Sequence, residues 1–178
     1  YHMGNAAELC AQKYALTREQ QDEYALQSYA RATTATKAGK FADEIIPLTI
    51  TQKSGEVILQ DDEDIYKIIP EKISKLKPSF DKNGTITAAN ASNLNDGAAA
   101  LVLASKEAIE KYNLKPLAKI ISYADAAQAP EWFTTAPSVA IPKALKQARL
   151  AINEISFFEI NEAYSAVALA NQQILGLD

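Results

Sequence analysis

A run of seven residues without a charge, Ala98-Ala99-Ala100-Leu101-Val102-Leu103-Ala104, sets the tightest limit on what this chain can fold into. It has the length of a strand, and its apolar residues do not alternate with polar ones. A strand apolar at consecutive positions needs cover on both faces, as in sheets flanked by helices. Thr85-Ile86-Thr87, Leu117 to Tyr123 and Ile155 to Ile160 also read as strands. Helical stretches stand among them at Lys106 to Tyr112, at Pro137 to Gln147 and from about Glu162 to Leu175. Pro137 is tolerated because it lies in a first turn. Strands alternating with helices predict an α/β fold with buried sheets.

The first third reads as helix followed by a hairpin. Thr17 and Gln20 form a capping-box pattern. The stretch beyond them, to about Lys37, carries Tyr24, Ala25, Ser28, Tyr29 and Ala32 at helical spacing, and Gly39 suits its stop. A shorter helix is expected over Ala6 to Lys13. Glu44 to Ile50 reads as a strand, with Pro47 pointing to an edge. Ser54-Gly55 would turn it into a partner at Glu56 to Leu59. Asp61 to Asp64 is expected to be a solvated acidic loop, since it lacks the spacing of a calcium loop. Lys67, Lys72, Lys75 and Lys77 read either as a solvated face or as point charges for a phosphorylated ligand. Domain boundaries fall near Ser92 to Gly97 and near Asn113 to Pro116.

Composition narrows the function classes. The chain has 178 residues, 48% of them hydrophobic, so a core is within reach. Its formal net charge of -4 argues against a nucleic-acid surface, which needs clustered Lys and Arg. The lone cysteine, Cys10, allows no internal disulfide and no cysteine-based zinc site. A reducing, cytoplasmic setting is therefore expected. No stretch has the apolar length of a membrane span, so no membrane partner is expected. The sequence opens on Tyr1 rather than Met and reads as an internal piece of a longer protein.

Asn161 is the first candidate for chemistry. It follows the predicted strand ending at Ile160 and precedes a predicted helix. Ligands in α/β sheets bind beyond the carboxyl ends of strands, where helix N-termini offer free N–H groups. Two readings stand: a plain N-cap, or a polar group aimed into a site, directly or through a water. Ser92 is similarly open between satisfying a turn and contacting a ligand. Cys10 reads as a small buried residue of the first helix.

Asn161-Glu162-Ala163-Tyr164 resembles the Asn-Glu-Ala-Phe motif of the thiolases. Upstream, Ala88-Ala89-Asn90-Ala91-Ser92 and Asn95-Asp96-Gly97-Ala98-Ala99-Ala100 are similar to another thiolase segment. His2-Met3-Gly4, Leu16 to Asp22 and Gly39-Lys40-Phe41 also match, so the resemblance covers essentially the whole chain. It is nearest to the biosynthetic, acetoacetyl-CoA type. It implies a layered αβαβα fold, incomplete here, with an inserted loop domain. Residues 1–94 would be that loop domain. Residues 95–116 would return to the N-terminal half, and 117–178 would open the C-terminal half.

The implied reaction condenses two acetyl-CoA to acetoacetyl-CoA and CoA, or runs the reverse thiolysis. It uses a cysteine nucleophile, a histidine and a second cysteine, none of which has a counterpart in this chain. The resemblance makes Asn161 the holder of an oxyanion-hole water. His2 and Met3 would line the pocket, Ser92 would meet pantetheine, and Phe80 and Leu94 would flank the CoA chain. Lys67 and Lys72 would lie near the nucleotide end, and Ala163 and Tyr164 beside the acyl group. Trp132-Phe133-Thr134 would help to bound the acyl pocket. Tyr164 replaces the motif Phe, and its added hydroxyl needs a partner if buried. Some relatives bind potassium, and the matching positions are Tyr29, Ala88, Ala89 and Ala91. No other cofactor is implied, coenzyme A being substrate and product, and a homodimer or homotetramer is expected. The competing readings are a degradative 3-ketoacyl-CoA thiolase, a non-catalytic CoA-binding or assembly piece, and a Cys10–His2–Asn161 hydrolase.

Overall fold

The structure, a computed structural model, describes residues 2–177. Helix α1 spans Met3–Lys13, and α2 spans Arg18–Lys37. The Thr17 capping box forms as predicted: Gln20 N–H donates to Thr17 Oγ1 at 3.2 Å, and Thr17 N–H donates to Gln20 Oε1 at 2.9 Å. Strands β1 (Leu48–Gln52) and β2 (Gly55–Leu59) then form an antiparallel hairpin in which Leu48 faces Leu59 and Gln52 faces Gly55. Gly55, at φ +124°, supplies the turn that an L-residue would resist. A 3-10 turn at Glu63–Tyr66 and the short helix α3 (Pro70–Ile73) complete this part.

Helices α4 (Lys106–Tyr112), α5 (Pro137–Ala148) and α6 (Ser165–Leu175) follow, with 3-10 turns at Pro130–Thr135 and Ile152–Glu154. Ser105 caps α4, its side chain accepting from Ala108 N–H at 3.2 Å, and Asn113 closes it in the left-handed region.

The core lies where α1 meets α6 around residues 86–91. Ala7, Ala11, Ile86, Tyr164, Ala166 and Val167 form one buried cluster, flanked by Leu16, Phe80, Phe133 and Ile160. The small residues on α1 and α6 let the two helices approach closely. Ile86 is fully buried, which stabilises the fold by about 2 kcal/mol. Cys10 is buried on the α1 face with its thiol 3.9 Å from Ala166 O, as expected.

Several predicted strands do not form. Residues 85–87, 98–104, 117–123 and 155–160 carry no ladder, and the hairpin is the only sheet among the described residues. A strand is defined by hydrogen bonds to a neighbour, so strand-like composition alone makes none. Leu101 and Val102 are 92% and 94% exposed, the reverse of the buried strand that their composition predicts. The last helix also starts later than expected, at Ser165 rather than Glu162. Tyr164 is held extended because Ala163 O accepts from Ser92 N–H (3.0 Å) and Ser165 N–H donates to Asn90 O (2.9 Å). These bonds pin 163–165 beside 90–92 and leave no room for a helical turn there.

Candidate active site

The loop between Gly84 and Asn95 is held in place by side chains of α1 and α2. The Glu8 carboxylate accepts from Thr85 N–H (2.9 Å) and Ile86 N–H (2.9 Å). Gln21, fully buried, donates through Nε2 to Thr85 Oγ1 at 2.9 Å. Asn90 accepts from Thr87 N–H at 2.8 Å and donates to Asp22 Oδ1 at 2.9 Å. Arg18 Nε in turn donates to Asp22 Oδ2 at 2.7 Å, and its Nη2 donates to Ile73 O at 2.7 Å. Gln21 Oε1 is left without a partner among the described residues, but the remaining bonds tie residues 85–90 to α1 and α2 and fix their shape.

Ser92 and Asn161 border one cleft between α2 and this loop, together with Tyr29, Ala89 and Ala91. The backbone pairing of 90–92 with 163–165 brings them there. Asn161 is not an N-cap, because α6 begins at Ser165 and Tyr164 occupies the cap position. Its amide is exposed towards the cleft and makes no hydrogen bond to a described residue, which leaves it available to a ligand or a water.

Lys67, Lys72, Tyr29, Ala88 and Ala89 line a neighbouring recess. Lys67 Nζ pairs with Glu63 (3.1 Å) and Asp64 (3.1 Å). These hydrogen bonds, Glu63 first, hold its ammonium above the usual lysine range. Asp64 departs from the solvated loop expected of the acidic run. It also accepts from Asn93 Nδ2 at 2.9 Å and Asn95 Nδ2 at 3.0 Å. Those bonds, that from Asn93 foremost, hold its carboxyl below the usual range. Burial, then Asp64 and Asp62, push the Tyr29 phenol up.

A third group is aromatic. Phe80 lies between His2, at 5.1 Å between ring centroids, and Tyr164, at 6.2 Å and edge-on. His2 caps α1, its Nδ1 accepting from Gly4 N–H at 3.1 Å. Ala163 packs against the core, whereas Met3 is about half exposed and Leu94 projects fully into solvent. Thr134 is buried, Phe133 packs on the core, and Lys13 Nζ sits 4.1 Å over the Trp132 ring. A Cys10–His2 dyad is not built. The two stand eight residues apart along α1, about 12 Å of helix, and burial pushes the Cys10 thiol up.

Glu162, like Asp64, is a cleft residue that sequence reasoning missed. Its Oε1 accepts from Tyr24 Oη at 2.6 Å and its Oε2 from Ser28 Oγ at 2.6 Å. Burial, then this bond to Glu162, pushes the Tyr24 phenol well above the usual range. The available signal was the hydroxyl pair at i and i+4 on α2, which puts both on one helix face.

Known proteins resemble this chain in sequence and backbone. Residues 1–107 match the family model "Thiolase, N-terminal domain" and residues 114–178 match "Thiolase, C-terminal domain". Acetyl-CoA acetyltransferase 2 of Arabidopsis thaliana is 52% identical over 178 residues, covering 98% of this chain and 44% of that protein. The crystal structure of the Bacillus anthracis acetyl-CoA acetyltransferase superposes with a TM-score of 0.95 at 42% identity, covering 99% of this chain and 45% of its own. Human mitochondrial 3-ketoacyl-CoA thiolase superposes at 0.92 with 40% identity, covering 97% and 44%. Other relatives include forms named cytosolic and mitochondrial. The chain thus spans less than half the length of the proteins it matches. Two family models that between them take in nearly every residue, and a backbone that follows solved members throughout, show that the chain belongs to the thiolase family.

Proposed function

We propose that this sequence is the central segment of an acetyl-CoA acetyltransferase. The complete enzyme would condense two acetyl-CoA to acetoacetyl-CoA and CoA, or run the reverse thiolysis. A cysteine thiolate outside this chain would carry the acetyl group as a thioester. A base would take a proton from the methyl carbon of the second acetyl-CoA, and that carbon would attack the acyl-enzyme carbonyl, breaking the enzyme thioester and expelling the cysteine thiolate. The oxyanion and the enolate need hydrogen-bond donors. Asn161 supplies one, by orienting a water. The chain by itself lacks the nucleophile and turns nothing over.

One observation carries this reading: the interlock of 90–92 with 163–165 sets Ser92 and Asn161 on the same cleft. Ser92 would meet pantetheine there. Phe80, with His2 and Tyr164 near it, would wall the thioester end together with Met3, and Lys67 and Lys72 would face the nucleotide end. Residues 1–94 would act as the loop domain over the site, with 95–116 and 117–178 belonging to the two halves. The complete enzyme would be a cytoplasmic homodimer or homotetramer.

Potassium fits the donor set. Tyr29 and Ala89 line both recesses, and the carbonyls of Ala88, Ala89 and Ala91 accept no hydrogen bond among the described residues. Hard cations favour such oxygens. Bound there, the ion would brace the Ser92 loop.

The test is thiolysis of acetoacetyl-CoA by the enzyme with its flanking segments restored. Asn161→Ala should lower kcat by about 100-fold, and a full rate in that variant overturns the reading. The likeness to human 3-ketoacyl-CoA thiolase favours a second reading, a degradative enzyme for longer chains. A higher kcat/KM for a long-chain 3-ketoacyl-CoA than for acetoacetyl-CoA would select it.

A further inference from the structure

We infer that Glu162 is a positioning residue for Asn161, acting through a clamp on Tyr24 and Ser28; the inference rests on the role proposed for Asn161. Tyr24 and Ser28 are one helical turn apart on α2, so their hydroxyls emerge on the same face. Each donates to a different oxygen of the Glu162 carboxylate, and both distances are 2.6 Å. That is the length of a charge-assisted O–H···O⁻ bond, stronger than its neutral counterpart. A carboxylate held by two donors from one rigid helix has its position fixed in two directions.

The surroundings show what this fixes. Among the described residues, 156–162 make no other hydrogen bond to the rest of the chain. Backbone bonding resumes at Ala163 and Ser165. Asn161 therefore lies in a stretch without a ladder, adjacent in sequence to its one polar anchor. Its amide must meet a reacting oxygen or water to within a fraction of an ångström, and small misplacements of such groups are costly. The clamp passes the rigidity of α2 to Asn161 across one peptide unit. Glu162 itself has both oxygens occupied and need not touch substrate.

The test uses the complete enzyme and measures thiolysis together with hydrogen–deuterium exchange of the peptide around residues 157–164. Glu162→Ala and the Tyr24→Phe/Ser28→Ala pair should each lower kcat about tenfold with KM changed less than about twofold. Exchange should quicken in that peptide and stay unchanged in α5. Glu162→Gln, which can accept from one hydroxyl and donate to the other, should recover most of the rate. In an Asn161→Ala background the clamp substitutions should cost almost nothing further, since the group they position is gone.

An equal loss in both backgrounds overturns the positioning role and leaves Glu162 a structural tether. So does a kcat within about twofold of the parent in the clamp variants. A full rate in Asn161→Ala alone overturns the functional reading, and the positioning role with it. The single variants separate the two failures.

Discussion

Glu8, in the second turn of α1, accepts the backbone N–H of Ile86 at 2.9 Å across 78 residues of sequence. With its bond to Thr85 N–H it acts as a surrogate strand neighbour for a segment that has none. Glu8→Ala should cost about 2 kcal/mol or more, because two partly buried donors lose their acceptor. Glu8→Gln, which keeps one acceptor oxygen, should cost less. The urea midpoint followed by circular dichroism measures both. Gly84→Ala should mimic a mild Glu8 loss, since a Cβ at Gly84 would run into the Glu8 carboxylate.

Asp64 gathers Asn93, Asn95 and Lys67 onto one carboxylate. Asp64→Ala frees the residues just after Ser92. In the complete enzyme it should raise KM for the CoA thioester about fivefold with little change in kcat. Steady-state thiolysis at varied thioester concentration reads the two apart. An unchanged KM would leave Asp64 no part in shaping the cleft.

Tyr164 buries its ring edge-on to Phe80, and its hydroxyl makes no hydrogen bond to a described residue. The added oxygen therefore found no protein partner, and only burial acts on its phenol, pushing it up. Tyr164→Phe, which restores the family motif, should change stability by less than about 0.5 kcal/mol. Tyr164→Ala should cost about 3 kcal/mol through the cavity it opens. Thermal unfolding of the two variants provides the comparison.

Cys10 is fully buried, and burial pushes its thiol up, only partly offset by Thr134 and Lys13. A thiolate is the reactive form, so reaction with a disulfide reagent at neutral pH should be slow in the native protein and fast once it is denatured. Cys10→Ala should leave thiolysis by the complete enzyme intact and cost about 1–2 kcal/mol of stability. Loss of activity in that variant, with the fold intact, would revive the hydrolase reading.

Tyr24 keeps its proton beyond the usual tyrosine value of about 10. Above that value the unfolded chain has lost a proton that the folded chain retains. Stability from this site is therefore fully present below pH of about 10 and drains away as pH rises towards the folded value. The melting temperature of Tyr24→Phe should fall less steeply between pH of about 9 and 11 than that of the parent. Parallel curves would mean that Tyr24 is not the titrating group.

What was legible in the sequence was what neighbours along the chain decide. The Thr17 capping box, the Gly55 turn, the start of α5 at Pro137 and the burial of Cys10 are local or single-face properties, and all are found. Residues 98–104 have the composition of a buried strand and lie exposed, because composition reports the environment that a segment suits, not the neighbours it has. The start of α6 was misplaced by three residues because a bond from Ser92, 71 residues upstream of Ala163, holds Tyr164 extended. Motifs led to Asn161 and Ser92. Glu162 and Asp64 are hard to single out as site residues, because a carboxylate in a sequence is most often solvated and the partners that hold these two lie far along the chain.

The bare run Ala98 to Ala104 has a consequence for how two copies of the polypeptide meet in solution. Seven uncharged residues rich in aliphatic side chains, exposed and unpaired, are the kind of window that stacks into cross-β fibrils. The charges that bracket it, Asp96 on one side and Lys106 and Glu107 on the other, stand where gatekeepers stand in aggregation-prone proteins. Like charges at these positions would oppose in-register stacking of a second copy.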